Sequence, residues 1–331
     1  MQKKFVSIAC SVIAMSNAAL ATEAYMAPLA EQSLLADIQK INETTLVAVG
    51  ERGHILINTN NQGWQQQPVP TNQMLNAVDF VDDQHGWAVG HDAIILATDD
   101  GGQHWTVQQN LPDLEKPLMD VHFFDAQHGI AVGAYGLFYR TQDGGQSWVK
   151  ELHGEVLLED DQAYLQELRD EDEQLYLQEL ASVLPHFNRL SAGREGRLYM
   201  AGEMGLLAFS DDQGRNWQRI DVHYNGSFFD VMQVPNGEVI AAGLRGNIFQ
   251  LTDGVWQRID NPTKSSINSI VAVDADTTVF VGNNGRILTL TQGKLATFQT
   301  EDGKAIINAL SSPNGLIAVT ESGIKQLPLN K

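Results

Sequence analysis

Runs of four to eight apolar-rich residues recur along this chain, each cut short by Gly, Asp or Asn. Runs of that length between turn residues predict β-strands rather than helices. They repeat as a unit. VAVGERGHIL, WAVGHDAIIL, IAVGAYGLFY, YMAGEMGLLA, IAAGLRGNIF, VFVGNNGRIL and IAVTESGIKQ share one pattern, their fourth residue falling at 50, 90, 133, 202, 243, 282 and 320. The spacings are 40, 43, 69, 41, 39 and 38 residues.

Two further phrases flank each copy. Downstream lie TDDGGQHW (98–105), TQDGGQSW (141–148) and SDDQGRNW (210–217), with degenerate versions TNNQGW (59–64), TDGVW (252–256) and TQGKLATF (291–298). Upstream, an apolar residue precedes Asn or Asp in LNAV, MDVH, FNRL, FFDV, INSI and INAL, while LADI carries Ala36 there. Each unit therefore reads as four short strands, and seven such units predict an all-β, seven-bladed β-propeller. The Asp turn joins strands three and four, its side chain accepting turn N–H groups. Trp64, Trp105, Trp148, Trp217, Trp256 and Phe298 are then expected between blades. The last unit runs out after three strands, so residues 23–30, EAYMAPLA, are expected to supply its fourth and close the ring.

Asp-box repeats of the form TxDGGxxW, each preceded by AVGxxG, over about residues 30–327, resemble the photosystem II stability/assembly factor family, which has bacterial relatives outside photosynthesis. That resemblance implies a non-catalytic factor holding a membrane protein or its precursor during assembly through an arginine-rich patch. The photosystem itself is not implied here. Sialidases share the Asp box, so a sialidase-type glycoside hydrolase or a carbohydrate-binding propeller stands as the alternative.

The charge balance narrows the partners. With 41 Asp and Glu against 21 Lys and Arg, the net charge is -20, which argues against nucleic acid. Lys3 and Lys4, an apolar Phe5–Ser16 and the small-residue end Ala19-Leu20-Ala21 read as a secretory signal over 1–21, leaving 22–331 as the propeller. No later stretch is apolar enough to span a membrane. A soluble, monomeric periplasmic protein is expected, bound to a membrane or envelope complex such as an exporter. Cys10, the sole cysteine, lies in the signal, so neither disulfides nor thiol chemistry are expected. No metal or cofactor is expected.

A propeller opens its strand two-to-three turns and its blade connections on one face, where ligands usually bind. Those turns carry Glu51, Arg52, His91, Asp92, Tyr135, Glu203, Arg245, Asn283 and Asn284, with Arg286 just after. The connections add Lys116, Lys264 and Lys304. Arg52, Arg245 and Arg286 are expected to form a basic crescent, joined by Tyr135, Lys264 and Lys304 as a partner-binding surface. A glycosidase would instead use these arginines with Tyr135, Glu203 and Asp92. A carbohydrate-binding module would need exposed aromatics, for which Tyr135 and Tyr224 are few. Asn76, Asp120, Asn188, Asp230, Asn268 and Asn308 would line the channel as a ring, bonding neighbouring backbone. Arg219 and Arg258 are expected on the outer surface, and His85 and His128 in turns of the far face.

The 69-residue spacing marks an insertion at 152–186. Residues 151–187 hold eleven acids (Glu151, Glu155, Glu159, Asp160, Asp161, Glu167, Asp170, Glu171, Asp172, Glu173 and Glu179) against Arg169. YLQEL at 164 and 176 suits amphipathic helix, as one bent helix or two short ones about RDEDE at 169–173. It reads as a solvated decoration or as an acidic arm overhanging the crescent.

Overall fold

The computed structural model describes residues 23–329, so the signal at 1–21 and Cys10 lie outside the described residues. Seven antiparallel sheets follow one another in chain order, six with four strands and the last with three. Blade 1 comprises Leu35–Asn42, Thr45–Gly50, Ile55–Thr59 and Gln65–Gln66, and blade 7 comprises Ile306–Ser312, Gly315–Thr320 and Gly323–Leu327. The first strand of each blade is innermost, and that of blade 1 lies against that of blade 7, closing the ring.

Second strands are buried on both faces, which is why they read as unbroken apolar runs such as Gly86–Gly90 and Gly129–Gly133. Each first strand carries a β-bulge beside the end of the second, as between Leu75 and Ala77. The bulge brings the chain entering strand one so close that a Cβ on Gly90 would sit 1.9 Å from the Met74 carbonyl oxygen. Only glycine fits there.

The Asp turns are internal braces. Gly102 N donates to Thr98 Oγ1 (3.0 Å) and His104 N to Asp100 Oδ1 (2.9 Å), and Thr141/Asp143 and Ser210/Asp212 repeat the pattern. Burial alone would raise the Asp100 carboxyl, but bonds from His104 and Thr98 bring it down to about 2. The turn ends by inserting its tryptophan between blades. Trp105 of blade 2 is buried with Val47 and Ile57 of blade 1, its ring edge-on to Phe80 at 6.0 Å. Phe298 departs from the expectation: it lies 40% exposed on the outer strand Lys294–Gln299.

The expected closing strand also needs correcting. Residues 23–30 form no strand and leave blade 7 with three. They lean on blade 1 instead: Ala24 N donates to Val69 O (2.9 Å), Ala27 N to Gln66 Oε1 (2.8 Å), and Gln66 Nε2 to Tyr25 O (2.9 Å). Pro28, lacking an N–H, interrupts any ladder this segment would make.

The insertion folds as two helices, α1 (Glu159–Glu171) and α2 (Glu173–Val183). Asp172 separates them, its carboxylate capping α2 by accepting from Gln174 N (2.9 Å) and Leu175 N (3.0 Å). The insertion is neither a solvated decoration nor a free arm. Leu157, Leu165, Leu180 and Leu184 are buried with Phe138 of blade 3 and Phe187 and Trp217 of blade 4. The acids of both helices, Glu179 apart, are exposed. Arg219, expected on the surface, is half-buried and binds Val156 O (2.5 Å) and Met204 O (2.9 Å), fastening the insertion to blade 4.

Candidate functional site

In blades 1, 2, 3, 5 and 6 the turns between strands two and three are single 3-10 turns whose middle residue takes a left-handed conformation, with φ between 53° and 59° at Arg52, Asp92, Tyr135, Arg245 and Asn284. Met204 holds the same conformation in blade 4, at φ 54°. Non-glycine residues there are strained. Four of these turns are held by a bond from the N–H of the third turn residue to the segment leading into the next blade: Gly53 N to Gln73 O (2.8 Å), Ala93 N to Lys116 O (3.0 Å), Gly136 N to Pro185 O (2.9 Å) and Gly205 N to Gly226 O (2.7 Å). In blade 5 Arg245 N donates to Ser266 Oγ (3.2 Å), and in blade 6 Gly285 O accepts from Thr300 N (2.9 Å). One face therefore presents Arg52, Asp92, Tyr135, Met204, Arg245 and Asn284 in blade order, on short, rigid supports.

The three-arginine crescent is only partly assembled. Arg52 and Arg245 are exposed at turn apices. Arg286 instead lies along its own blade, Nη1 donating to Thr297 Oγ1 (3.0 Å) and Nη2 to Gln299 Oε1 (3.4 Å). Its place at the start of a strand, two residues past the apex, is the physical reason. Lys304 pairs with Glu321 at 3.3 Å, whereas Lys264 is exposed on the blade 5 to 6 connection.

Tyr135 is the most developed feature of this face. Its ring is 52% exposed, has the Lys116 ammonium 5.0 Å from its centroid, and meets the His186 ring edge-on at 4.3 Å. His186 stands 3.6 Å from Glu203. Burial, then Lys150, lowers the Lys116 pKa. Nothing in the motif pattern pointed to His186, which lies between α2 and the first strand of blade 4. Tyr224 packs inward against Phe228 and Phe249 and offers the face no free aromatic ring.

Beneath the face, the channel differs from the expected single ring. The six named residues occupy two adjacent positions of the first strand, and blades alternate between them. Blades 2, 4 and 6 use the bulge residue: Asn76, Asn188 and Asn268 donate to Leu118 O (2.7 Å), Phe228 O (2.7 Å) and Ile306 O (2.8 Å) of the next blade. Blades 1, 3 and 5 use the following residue: Asp37, Asp120 and Asp230 accept from Val78 N (3.0 Å), Leu190 N (2.6 Å) and Ile270 N (2.7 Å). Blade 7 uses Asn308, whose Nδ2 donates to Asp37 Oδ1 at 2.5 Å. Every blade is thus tied to the next.

Arg189 of blade 4 crosses the channel to these acids, 3.9 Å from Asp37, 3.8 Å from Asp120 and 3.8 Å from Asp230. Burial raises all three carboxyls, and Asp120 reaches about 7, although Arg189 and backbone donors oppose the rise. Asp37 and Arg189 were missed by motif reading because the repeat was aligned on the bulge residue, one position earlier. A cavity of about 330 Å³ opens beside this cluster, lined by Arg189, Asp230, Ser269 and Asn308.

Among the described residues no group of three or more His, Cys, Asp or Glu is placed to hold a metal ion. His85 and His128 bond Asp82 and Asp125 within their own turns, at 2.9 Å each. No helix of the described residues is long and apolar enough to cross a membrane.

The profile of a family described as photosynthesis system II assembly factor Ycf48 matches residues 56–116 and 107–223. A photosystem II assembly protein Ycf48 from Synechococcus sp. (strain JA-2-3B'a(2-13)) is 46% identical over 54 residues, 16% of this chain and 16% of that protein. The chloroplastic photosystem II stability/assembly factor HCF136 of Cyanidioschyzon merolae is 46% identical over 44 residues, 13% of this chain and 10% of the relative. The matched stretch is thus well under a fifth of either relative. Among solved structures, YCF48 bound to a D1 peptide superposes with a TM-score of 0.66 at 16% identity, covering 89% of this chain and 92% of that one. YCF48 from Cyanidioschyzon merolae gives 0.66 at 15% identity, covering 90% and 96%. The WD40 propeller of Doa1 gives 0.61 at 13% identity over 92% and 94%. At such identities these superpositions establish the propeller.

Proposed function

Because the chain belongs to the photosynthesis system II assembly factor Ycf48 family, we propose that it is a non-catalytic factor that holds a membrane-associated protein during assembly. The observation carrying this reading is the turn face: Arg52, Tyr135, Met204 and Arg245 stand at exposed apices of braced turns, suited to gripping an extended protein segment. A family relative has been solved with a D1 peptide, which supports a segment of a membrane protein as the partner class. The photosystem does not follow from this, and an exporter or other envelope complex is the partner proposed. The signal-like residues 1–21 support a periplasmic location.

The glycosidase reading loses support from the geometry. Sialidase chemistry needs an arginine cluster about the substrate carboxylate next to a Tyr–carboxylate pair. Here Arg286 is bound to its own blade, and Tyr135 is flanked by Lys116 and His186. The test is a periplasmic crosslinking pull-down with the tagged mature protein beside an Arg52→Glu/Arg245→Glu/Tyr135→Ala variant. One membrane protein captured by the parent and lost by the folded variant is expected. Equal capture by both would overturn the assignment to this face, and hydrolysis of a sialoside by the parent would overturn the non-catalytic reading.

A further inference from the structure

Among the described residues, blade 7 alone of the seven sheets has three strands. Its third strand, Gly323–Leu327, pairs with Gly315–Thr320 through Thr320↔Gly323, Ala318↔Lys325 and Leu316↔Leu327. Bonded and non-bonded pairs alternate along an antiparallel ladder, starting from the bonded pair that closes a two-residue hairpin. Gly323, Lys325 and Leu327 therefore spend their backbone groups inward. The N–H and C=O of Ile324 and Gln326 point outward, away from the sheet.

In the complete blades that outward edge is occupied. Ile55 O, Phe138 O and Leu207 O, each on the first residue of a third strand, accept from Gln67 N (2.8 Å), Glu151 N (2.9 Å) and Ile220 N (2.8 Å). Ile324 is the equivalent residue in blade 7. Among the described residues no strand pairs with Gly323–Leu327 on this side. The segment that chain order offers, 23–30, is bonded to blade 1.

The six strands filling this place in the other blades show what it accepts. They are Gln65–Gln66, Thr106–Gln109, Val149–Lys150, Gln218–Arg219, Val255–Ile259 and Lys294–Gln299. Together they carry four cations, Lys150, Arg219, Arg258 and Lys294, and no acid, in a chain with twice as many acids as bases. That composition suits a fourth strand laid against a body of net charge -20. An apolar residue would find Ile324 and Trp64, which pack with Ala27 and Ala30 of the N-terminal segment into one cluster at the blade 7 to blade 1 junction.

We propose that the open edge of blade 7 docks an extended, acid-free, cation-bearing segment of a partner protein, added antiparallel as the missing fourth strand. The edge is a site separate from the turn face, with its own residues. Main-chain bonds to Ile324 and Gln326 supply the affinity, and the acidic body selects the charge.

The probe is a fluorescein-labelled peptide of residues 293–300, Gly-Lys-Leu-Ala-Thr-Phe-Gln-Thr, which copies the chain's own longest fourth strand. Fluorescence anisotropy with the mature protein should show saturable binding in the micromolar range. Gln326→Pro, which removes an outward N–H and leaves the inward ladder intact, should weaken it about tenfold or more. Arg52→Glu/Arg245→Glu should leave it unchanged, so failure here and failure of the turn-face reading are distinguishable. No saturation up to about 1 mM, or equal binding by the Gln326→Pro protein, overturns the proposal. So does peptide binding that appears only after deletion of Glu23–Leu29, because the chain would then be closing its own blade in solution. If the proline variant fails to fold, hydrogen exchange on the parent decides: the Ile324 and Gln326 amides should exchange unprotected until peptide is added, and protection in the free protein overturns the idea.

Discussion

Replacing Arg189 with methionine leaves Asp37, Asp120 and Asp230 around the channel without a cation. At separations of 3.8 to 3.9 Å and an effective dielectric near 20, each attraction is worth about 4 kcal/mol. Desolvating the guanidinium and the mutual repulsion of the acids offset most of that gross gain. Removing one partner of a buried ionic group typically costs roughly 3–5 kcal/mol, and that is the loss expected at pH 8, or roughly 6–10 °C in a chain of this size. The loss must depend on pH. Asp120 already titrates at about 7 because of burial, and without Arg189 all three burial-raised carboxyls rise further, so at pH 5 Asp120 is neutral and the cluster has less need of a counter-charge. Thermal denaturation of parent and Arg189→Met at both pH values checks this, with a deficit at pH 5 less than about half that at pH 8. An equal deficit at both, or none at pH 8, refutes the account of Arg189 as a counter-ion.

The parent itself carries a related signature. A carboxyl whose folded pKa is raised, from 3.8 to about 7 for Asp120, binds more protons folded than unfolded, so its contribution falls as pH climbs through that window, by up to about 4 kcal/mol. Asp100 and Asp212, held at about 2, act oppositely and weaken the fold only as pH drops below 4; calorimetric scans from pH 3 to 8 should place maximal stability on the acid side of neutrality. Trp105→Ala should cost roughly 3–5 kcal/mol, whereas Phe298→Ala, at an exposed site, should cost less than about 1 kcal/mol, both read by urea titration. Leu180→Ala should lose about 2–4 kcal/mol and Asp172→Ala about 1 kcal/mol, since one anchors the helical insertion and the other caps α2; equal and negligible losses would mean the insertion is not integral to the core.

The architecture was legible because each blade repeats the same local physics. An apolar second strand, a glycine forced by the bulge and a braced Asp turn recur with little variation, so the period alone indicated seven blades. Features outside the period were not legible. Arg189 is one residue in one blade, its partners come from blades 1, 3 and 5, and only ring closure brings them together. Residues 23–30 resemble a strand by position, yet Pro28 and bonds to Gln66 and Val69 draw them to the neighbouring blade. Arg286 followed the motif onto the right face, but hydrogen bonds to Thr297 and Gln299 direct its side chain away. The acidity of residues 151–187 suggested a solvated appendage, while four leucines carry the anchoring.

The alternation of Asn and Asp positions around the channel imposes a parity on the ring. A two-state pattern closes without fault only over an even number of blades, and this ring has an odd number, so two blades of the same kind must meet somewhere. They meet at the junction of blades 7 and 1, where Asn308 faces Asp37 and an amide-to-carboxylate bond replaces the side-chain-to-backbone tie used at every other junction. The mismatch falls at the blade that also has only three strands among the described residues. Blades 1 to 6 then behave as three copies of a two-blade module, with blade 7 as the odd half. Excising or duplicating a module preserves the phase of the pattern, whereas adding or removing a single blade inverts it for all that follow.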